Sequence, residues 1–231
     1  MHRLQTFIII WAFSIALNCG PCYSWSECGH HIIAVMAYRQ LKPEQQAEVI
    51  RLIKAHPRFE LDFKIPEGIK NEEEWLVGRA GYWPDVARRS EYDRPTWHYQ
   101  LGATKVIGEV KDIPDDPGPL PENATLRTQE LYASQAYELC NRVLADKNAS
   151  DADRSVALCW ILHVVADIHQ PCHAGSLYVA GIFPDGDRWG NQAKQSLHKL
   201  IDRAVSSSVA NEKFRSGMLS SSSWPSAWTV Q

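Results

Sequence analysis

The stretch DADRSVALCWILHVVADIHQPCH, from Asp151 to His173, decides how the rest of the chain is read. Its apolar residues recur at helical spacing, so a helix is predicted from about Ser150 or Asp151 to Ile168, with Pro171 halting it. His163 and Asp167 are four apart and project from one face of that helix. An imidazole nitrogen and a carboxylate oxygen held together suit zinc, although such a pair can equally be hydrogen-bonded inside a helical core. His173 lies past Pro171 and can reach the same region from a loop.

Outward from this stretch the same period dominates. Cys28 to Leu41 reads as a helix, and Pro43 opens another towards Ala55. Asn71 and a run of acids begin a third, Glu72 to Gly81. Pro-rich sequence from Asp112 to Pro121 is a long loop. Thr125 or Thr128 is expected to cap a helix running to about Ala145. A loop rich in Gly and Asp, Gly181 to Asn191, leads into a last helix from Gln192 to about Ala204. There is no useful run of strand alternation and no repeat. The expected class is all-α, a single helical domain with long loops and few or no strands.

The chain has 231 residues, 45% of them hydrophobic and 22% charged, enough for one domain with a real core. A net charge of -3 argues against a basic groove gripping a duplex by its phosphates. Positive charge for any nucleic-acid chemistry must come from elsewhere, and bound metal is the obvious source.

Residues 1–24 read as a secretory leader: His2 and Arg3, an apolar run from Phe7 to Leu17, then Cys22 and Ser24 before cleavage at Trp25. The run is shorter than the roughly 20 residues of a membrane span. A secreted or periplasmic product without a membrane anchor is expected, with the working domain over 25–204 and a serine-rich, poorly ordered tail over 205–231. Cys19 and Cys22 have redox-pair spacing but lack a strand-helix-strand context. Cys28, Cys140, Cys159 and Cys172 remain, and export permits disulfides among them in any of three pairings.

A second His-x-x-x-Asp pair, His198 and Asp202, strengthens the metal reading. His98, within Thr96-Trp-His-Tyr99, and Asp85, after Trp83-Pro84, are polar groups set among aromatics, as ligands of a dry site would be. Cleavage before Trp25 frees an α-amine five residues ahead of His30. Its reference pKa near 8 lets a metal displace the proton at modest cost, and amine plus carbonyl close a five-membered chelate. His31, about 100° around the helix from His30, is expected at the surface or behind a ligand, and His56, before Pro57, at the surface.

Taken in order, Trp25-Ser-Glu-Cys-Gly-His30, Trp83-Pro-Asp85, Trp97-His-Tyr99, the His163 to His173 segment, Gly186-Asp-Arg-Trp-Gly-Asn191 and His198-x-x-x-Asp202 closely resemble the zinc-dependent single-strand nucleases of the P-one/S-one type. The resemblance implies three Zn2+ ions clustered at the bottom of a cleft. Trp25 (amine and carbonyl), His30 and Asp167 would bind one. Asp85, His98, His163 and a bridging Asp167 would bind a second, and His173, His198 and Asp202 the third. It also implies Arg88 as a phosphate clamp and Asn191 as a contact to a base edge, while Tyr99, next to His98, is placed either to stack an unpaired base or to pack in the core. Asp85, Arg88 and Asp167 would carry the chemistry.

Three Zn2+ outweigh the three aspartates, giving a cationic pocket inside an acidic protein. Metal lowers the pKa of bound water to about 7, so no side-chain nucleophile is required. The implied reaction is hydrolysis of single-stranded DNA and RNA to 5′-phosphate products, extending to 3′-nucleotidase activity, by a monomer without a stable protein partner.

Some positions depart from the family. Trp189 replaces the first Gly of its Gly-Gly-Asn loop, and Leu101 stands where a polar base-reading residue is usual. The sequence after Asp202 is also shorter than the further helices the family usually carries, so a cleft wall could be missing. Two rivals are a zinc phospholipase C, disfavoured by the Trp25 to His30 spacing and by Asp202 where that branch has Glu, and a non-catalytic zinc-binding relative, disfavoured by the complete ligand set.

Overall fold

Glu27 sits in the first turn of α1 (Glu27–Arg39) and Arg39 in its last, complementing the helix dipole at both ends. The computed structural model describes residues 27–188, together with Gly190 and Gln192. The leader, Trp25, Trp189, Asn191, the last predicted helix with His198 and Asp202, and the tail lie outside the described residues. Pro43 opens α2 (Pro43–Lys54), and the Gln45 side chain accepts the Lys42 N–H at 3.0 Å. A single turn, α3 (Phe59–Asp62), follows. The Asn71 side chain caps α4 (Glu72–Val86) by accepting the Glu74 N–H at 3.1 Å.

α4 runs past Gly81, where the sequence reading ends it, and carries Pro84 in its interior. A 3-10 turn (Pro95–His98) comes next, then strand β1 (Ala103–Ile107). α5 (Ala133–Ala145) begins later than either threonine predicted to cap it, because residues 124–131 form turns. The carbonyls of that segment are taken from outside it: Leu126 by the Arg94 guanidinium, Thr128 by the Trp97 indole, and Gln129 and Leu131 by the Thr96 hydroxyl.

Ser150 caps α6 (Asp151–Ile168), accepting the Asp153 N–H at 3.0 Å, and the helix starts and ends where the sequence predicts. α6 is the central helix. It is buried at nearly every residue from Ser155 to Asp167, and it touches α1, α2, α4 and α5. Pro171 then acts as the N1 residue of a further turn, α7 (Pro171–Ala174), so His173 is helical rather than in a loop.

The fold is mostly helical, with two short parallel strands: β2 (Ser176–Val179) pairs with β1 from Ala103↔Ser176 to Ile107↔Val179. Neither strand is long enough to show alternation in the sequence. Both spring from the site, as the Gln100 N–H bonds the His173 carbonyl at 2.8 Å just before they begin.

Cys28, Cys140, Cys159 and Cys172 are buried thiols on α1, α5, α6 and α7, and no disulfide joins them. This corrects the disulfide expectation: each fills core volume as a small apolar group, and burial pushes the Cys140 and Cys159 thiols far above their ordinary range. Among the described residues no helix is long and apolar enough to cross a membrane.

Candidate metal centre

Two glycines deliver His30 to the site. A Cβ on Gly81 would lie 2.8 Å from the Ala34 Cβ and 3.2 Å from the His30 carbonyl. One on Gly78 would lie 2.6 Å from the His31 Nδ1. Their bare surface lets α1 pack close against α4. His31 is therefore buried between the two helices rather than at the surface, where burial and Arg79 push its pKa down to about 3.

His30 from α1, Asp85 from α4, His98 from the 3-10 turn, His163 and Asp167 from α6, and His173 from α7 converge in one buried cluster. Asp167 is its hub. Its Oδ1 lies 3.5 Å from His30 Nε2 and 3.4 Å from His173 Nδ1. Its Oδ2 lies 3.0 Å from His163 Nε2 and 3.2 Å from His98 Nδ1. Each oxygen thus faces two imidazoles.

Neighbours fix the rings. His163 Nδ1 bonds the Gly81 carbonyl at 2.8 Å, and His173 Nδ1 bonds the His98 carbonyl at 2.7 Å. His30 stacks on His163 with ring centres 4.0 Å apart, and Trp160 meets the His98 ring edge-on at 5.3 Å. Asp85 splits its oxygens: Oδ1 accepts both Nε and Nη2 of Arg88 at 2.9 and 2.8 Å, while Oδ2 turns inward to 3.9 Å from His30 Nε2.

This inventory fits a bound cation. Among the described residues, both ring nitrogens of His30, Nε2 of His98 and Oδ2 of Asp85 are buried with no hydrogen-bond partner. In a neutral His163 whose Nδ1 donates to Gly81, the Nε2 lone pair confronts His98 Nδ1 at 2.8 Å and the Asp167 carboxylate. Such converging lone pairs repel unless a proton or a metal lies among them, and an N/O donor set of this kind suits zinc. Two donor groups could each hold an ion, His30/Asp85/His163 and His98/His163/Asp167, with all donor atoms of a group within 4.8 Å. His163 is shared between them, and Asp85 sits with His30, whereas the resemblance places Asp85 with His98.

Electrostatics follow the geometry. Burial, then the neighbouring His163, drives His30 down to about 3, against the pull of Asp167 and Asp85. Burial would lift Asp167 and Asp85, but the surrounding histidines hold both below their usual range, Asp167 far below. Burial would depress His163, but Asp167 outweighs it and the net shift is upward.

Tyr99 tilts over the His173 ring at 4.6 Å; burial pushes its pKa up, against the pull of the nearby Arg88. The half-buried Arg88 is folded onto Asp85. His173 stands beside Asp167, while Trp25, Asn191, His198 and Asp202 lie outside the described residues. The sequence reading missed the Gly81 carbonyl, although Gly78-x-x-Gly81 is a spacing that signals a close helix crossing. It also misplaced His56, which is 3% exposed and packed between Phe63 and Trp83.

The family model described as S1/P1 Nuclease matches residues 25–229. The chain belongs to the S1/P1 nuclease family. No curated protein and no solved structure matches it. As an S1/P1 nuclease it is a hydrolase of nucleic acid, and the buried His/Asp groups of this nuclease could bind metal.

Proposed function

We propose that this nuclease is a secreted or periplasmic zinc enzyme that hydrolyses single-stranded DNA and RNA to 5′-phosphate products and also acts as a 3′-nucleotidase. The observation that carries the reading is the Asp167 carboxylate, each oxygen of which faces two imidazoles. Asp85, His98, His163 and Asp167 would hold one zinc. Trp25, through the α-amine exposed by removal of 1–24, would hold a second with His30 and Asp167. His173, His198 and Asp202 would hold the third.

Bound zinc supplies Lewis acidity and brings the pKa of coordinated water to about 7. The protein supplies orientation and a dry wall. Gly81 and the His98 carbonyl fix which nitrogens of His163 and His173 donate. The buried rings of Trp97 and Trp160 exclude solvent behind His98. Arg88 steers Asp85 through Oδ1, and its planar fork is placed to turn towards a phosphate at the mouth of the site. Tyr99 offers an aromatic face for an unpaired base, and Asn191 an edge contact.

The test is turnover of single-stranded oligonucleotides by the mature, zinc-loaded chain, with and without chelator, and with phosphatidylcholine as control substrate. Chelator-sensitive cleavage leaving 5′-phosphates is expected. A zinc-loaded, folded chain without phosphodiester turnover overturns the reading, and turnover of the lipid alone reassigns it.

A further inference from the structure

A second polar cluster lies behind the metal centre, and no donor to that centre belongs to it. The indole of Trp83, fully buried, donates to Asp62 Oδ2 at 2.9 Å. Asp62 closes α3 and is itself buried. Its Oδ2 also accepts Arg58 Nε at 2.6 Å, and its Oδ1 accepts Arg58 Nη2 at 3.2 Å. The main-chain carbonyl of Asp62 accepts Arg79 Nε at 2.8 Å. One residue therefore grips α4 at positions 79 and 83. His56 and Tyr92 hold the same indole from its other sides, with ring centres 4.2 and 5.5 Å away.

The grip falls where α4 is weakest. Pro84 has no N–H, so the ladder bond to the Ala80 carbonyl is missing, and the proline ring crowds that carbonyl. A helix interrupted in this way bends unless contacts from outside hold it near the interruption. The site depends on both sides of that break. Gly81, before Pro84, provides the carbonyl that orients His163, and Asp85, after it, provides the carboxylate that faces His30.

We propose that Asp62 is a positioning residue for the metal centre, anchoring α4 up to the residue that precedes Pro84 through the Trp83 indole and so setting the Gly81 carbonyl two residues before that anchor and the Asp85 carboxylate two residues after it. The inference rests on the reading of that cluster as a zinc centre. Asp62 touches neither metal nor substrate. It acts only through Trp83 and the helix, so its loss should appear first as weakened metal binding.

The experiment uses the full mature chain and three variants, Asp62→Ala, Asp62→Asn and Trp83→Phe. Zinc affinity is measured by competition with a chromophoric chelator, fold by circular dichroism, and kcat and KM on a single-stranded oligonucleotide at saturating zinc. Asp62→Ala should weaken zinc binding by about 10- to 100-fold, the usual cost of losing a partner that orients a ligand, with kcat falling more than KM rises. Trp83→Phe keeps most of the ring bulk but loses the N–H, and should shift affinity in the same direction. Asp62→Asn still offers an oxygen to the indole and should recover most of the wild-type affinity.

If Asp62→Ala fails to fold, the contrast between Trp83→Phe and Asp62→Asn carries the test. Folded variants that melt earlier yet bind zinc as the wild type does overturn the positioning role and leave the zinc reading standing. Asp62→Asn as impaired as Asp62→Ala overturns the route through the indole. A wild-type chain that takes up no zinc overturns both readings together.

Discussion

His163 Nδ1 lies 2.8 Å from the carbonyl oxygen of Gly81, and this bond makes Nε2 the nitrogen that faces Asp167. Gly81 thus serves twice. Its carbonyl orients a ligand on α6, and its missing side chain admits the backbone of His30 on α1.

Gly81→Ala would press a methyl group to 2.8 Å from the Ala34 Cβ, forcing α1 outward. Overpacking of this kind costs about 1–3 kcal/mol. Urea denaturation of the metal-free protein should show that loss. Zinc uptake should fall with it, because His30 moves with α1.

Asp167→Asn replaces a carboxylate that faces two imidazoles through each oxygen by an amide with a single acceptor oxygen, and a ring that now faces the NH2 loses its partner. Zinc affinity and single-strand cleavage should fall by about a hundredfold or more, beyond the usual cost of losing a ligand's supporting contact. Titration with zinc under chelator competition reads the first, and oligonucleotide cleavage the second.

Arg88 reaches Asp85 Oδ1 with two nitrogens of one guanidinium. Arg88→Lys keeps the charge but loses the fork, so kcat/KM should drop by about tenfold or more, while zinc content stays near that of the wild type. Loss of zinc alongside activity would instead place Arg88 in support of Asp85 alone.

His56 gives a pH dependence of its own, because it lies outside the His/Asp cluster around Asp167. Burial pulls its pKa from 6.5 down to about 4, against Asp62 and with a further push from Arg58. The unfolded chain therefore binds a proton below pH 6.5 that the folded chain refuses until about pH 4. Stability contributed by the neutral ring is complete above 6.5 and is lost as pH falls through that window, at up to about 1.4 kcal/mol per unit. Urea midpoints of the metal-free protein should fall between pH 7 and 4. His56→Gln keeps an acceptor for the Arg58 N–H and should flatten that slope, whatever it does to stability at pH 7.

What the sequence made legible was what repeats locally. That His163 and Asp167 share a helix face follows from helical period, and the start of α6 near Ser150 and its end at Ile168 from the same period and Pro171. His98 and Asp85 were visible as polar groups among aromatics. The length of α4 was not, since a proline ordinarily ends a helix and here α4 continues past Pro84 to Val86. The start of α5 was misjudged because carbonyls after Thr125 are satisfied by Arg94, Thr96 and Trp97, which are far away in the chain. The strand pair was invisible for a similar reason: Ala103 meets Ser176 only after folding. His56 was assigned to the surface, and His31 left between the surface and a place behind a ligand, because burial is set by neighbouring elements that no local pattern reports.

The most direct test of the central claim is anomalous diffraction at the zinc edge from crystals of the mature protein. The account predicts paired peaks about 3.5–4 Å apart astride the Asp167 carboxylate, within bonding distance of His30, His98 and His163. Zinc density absent from that carboxylate, or confined to surface sites, would contradict it.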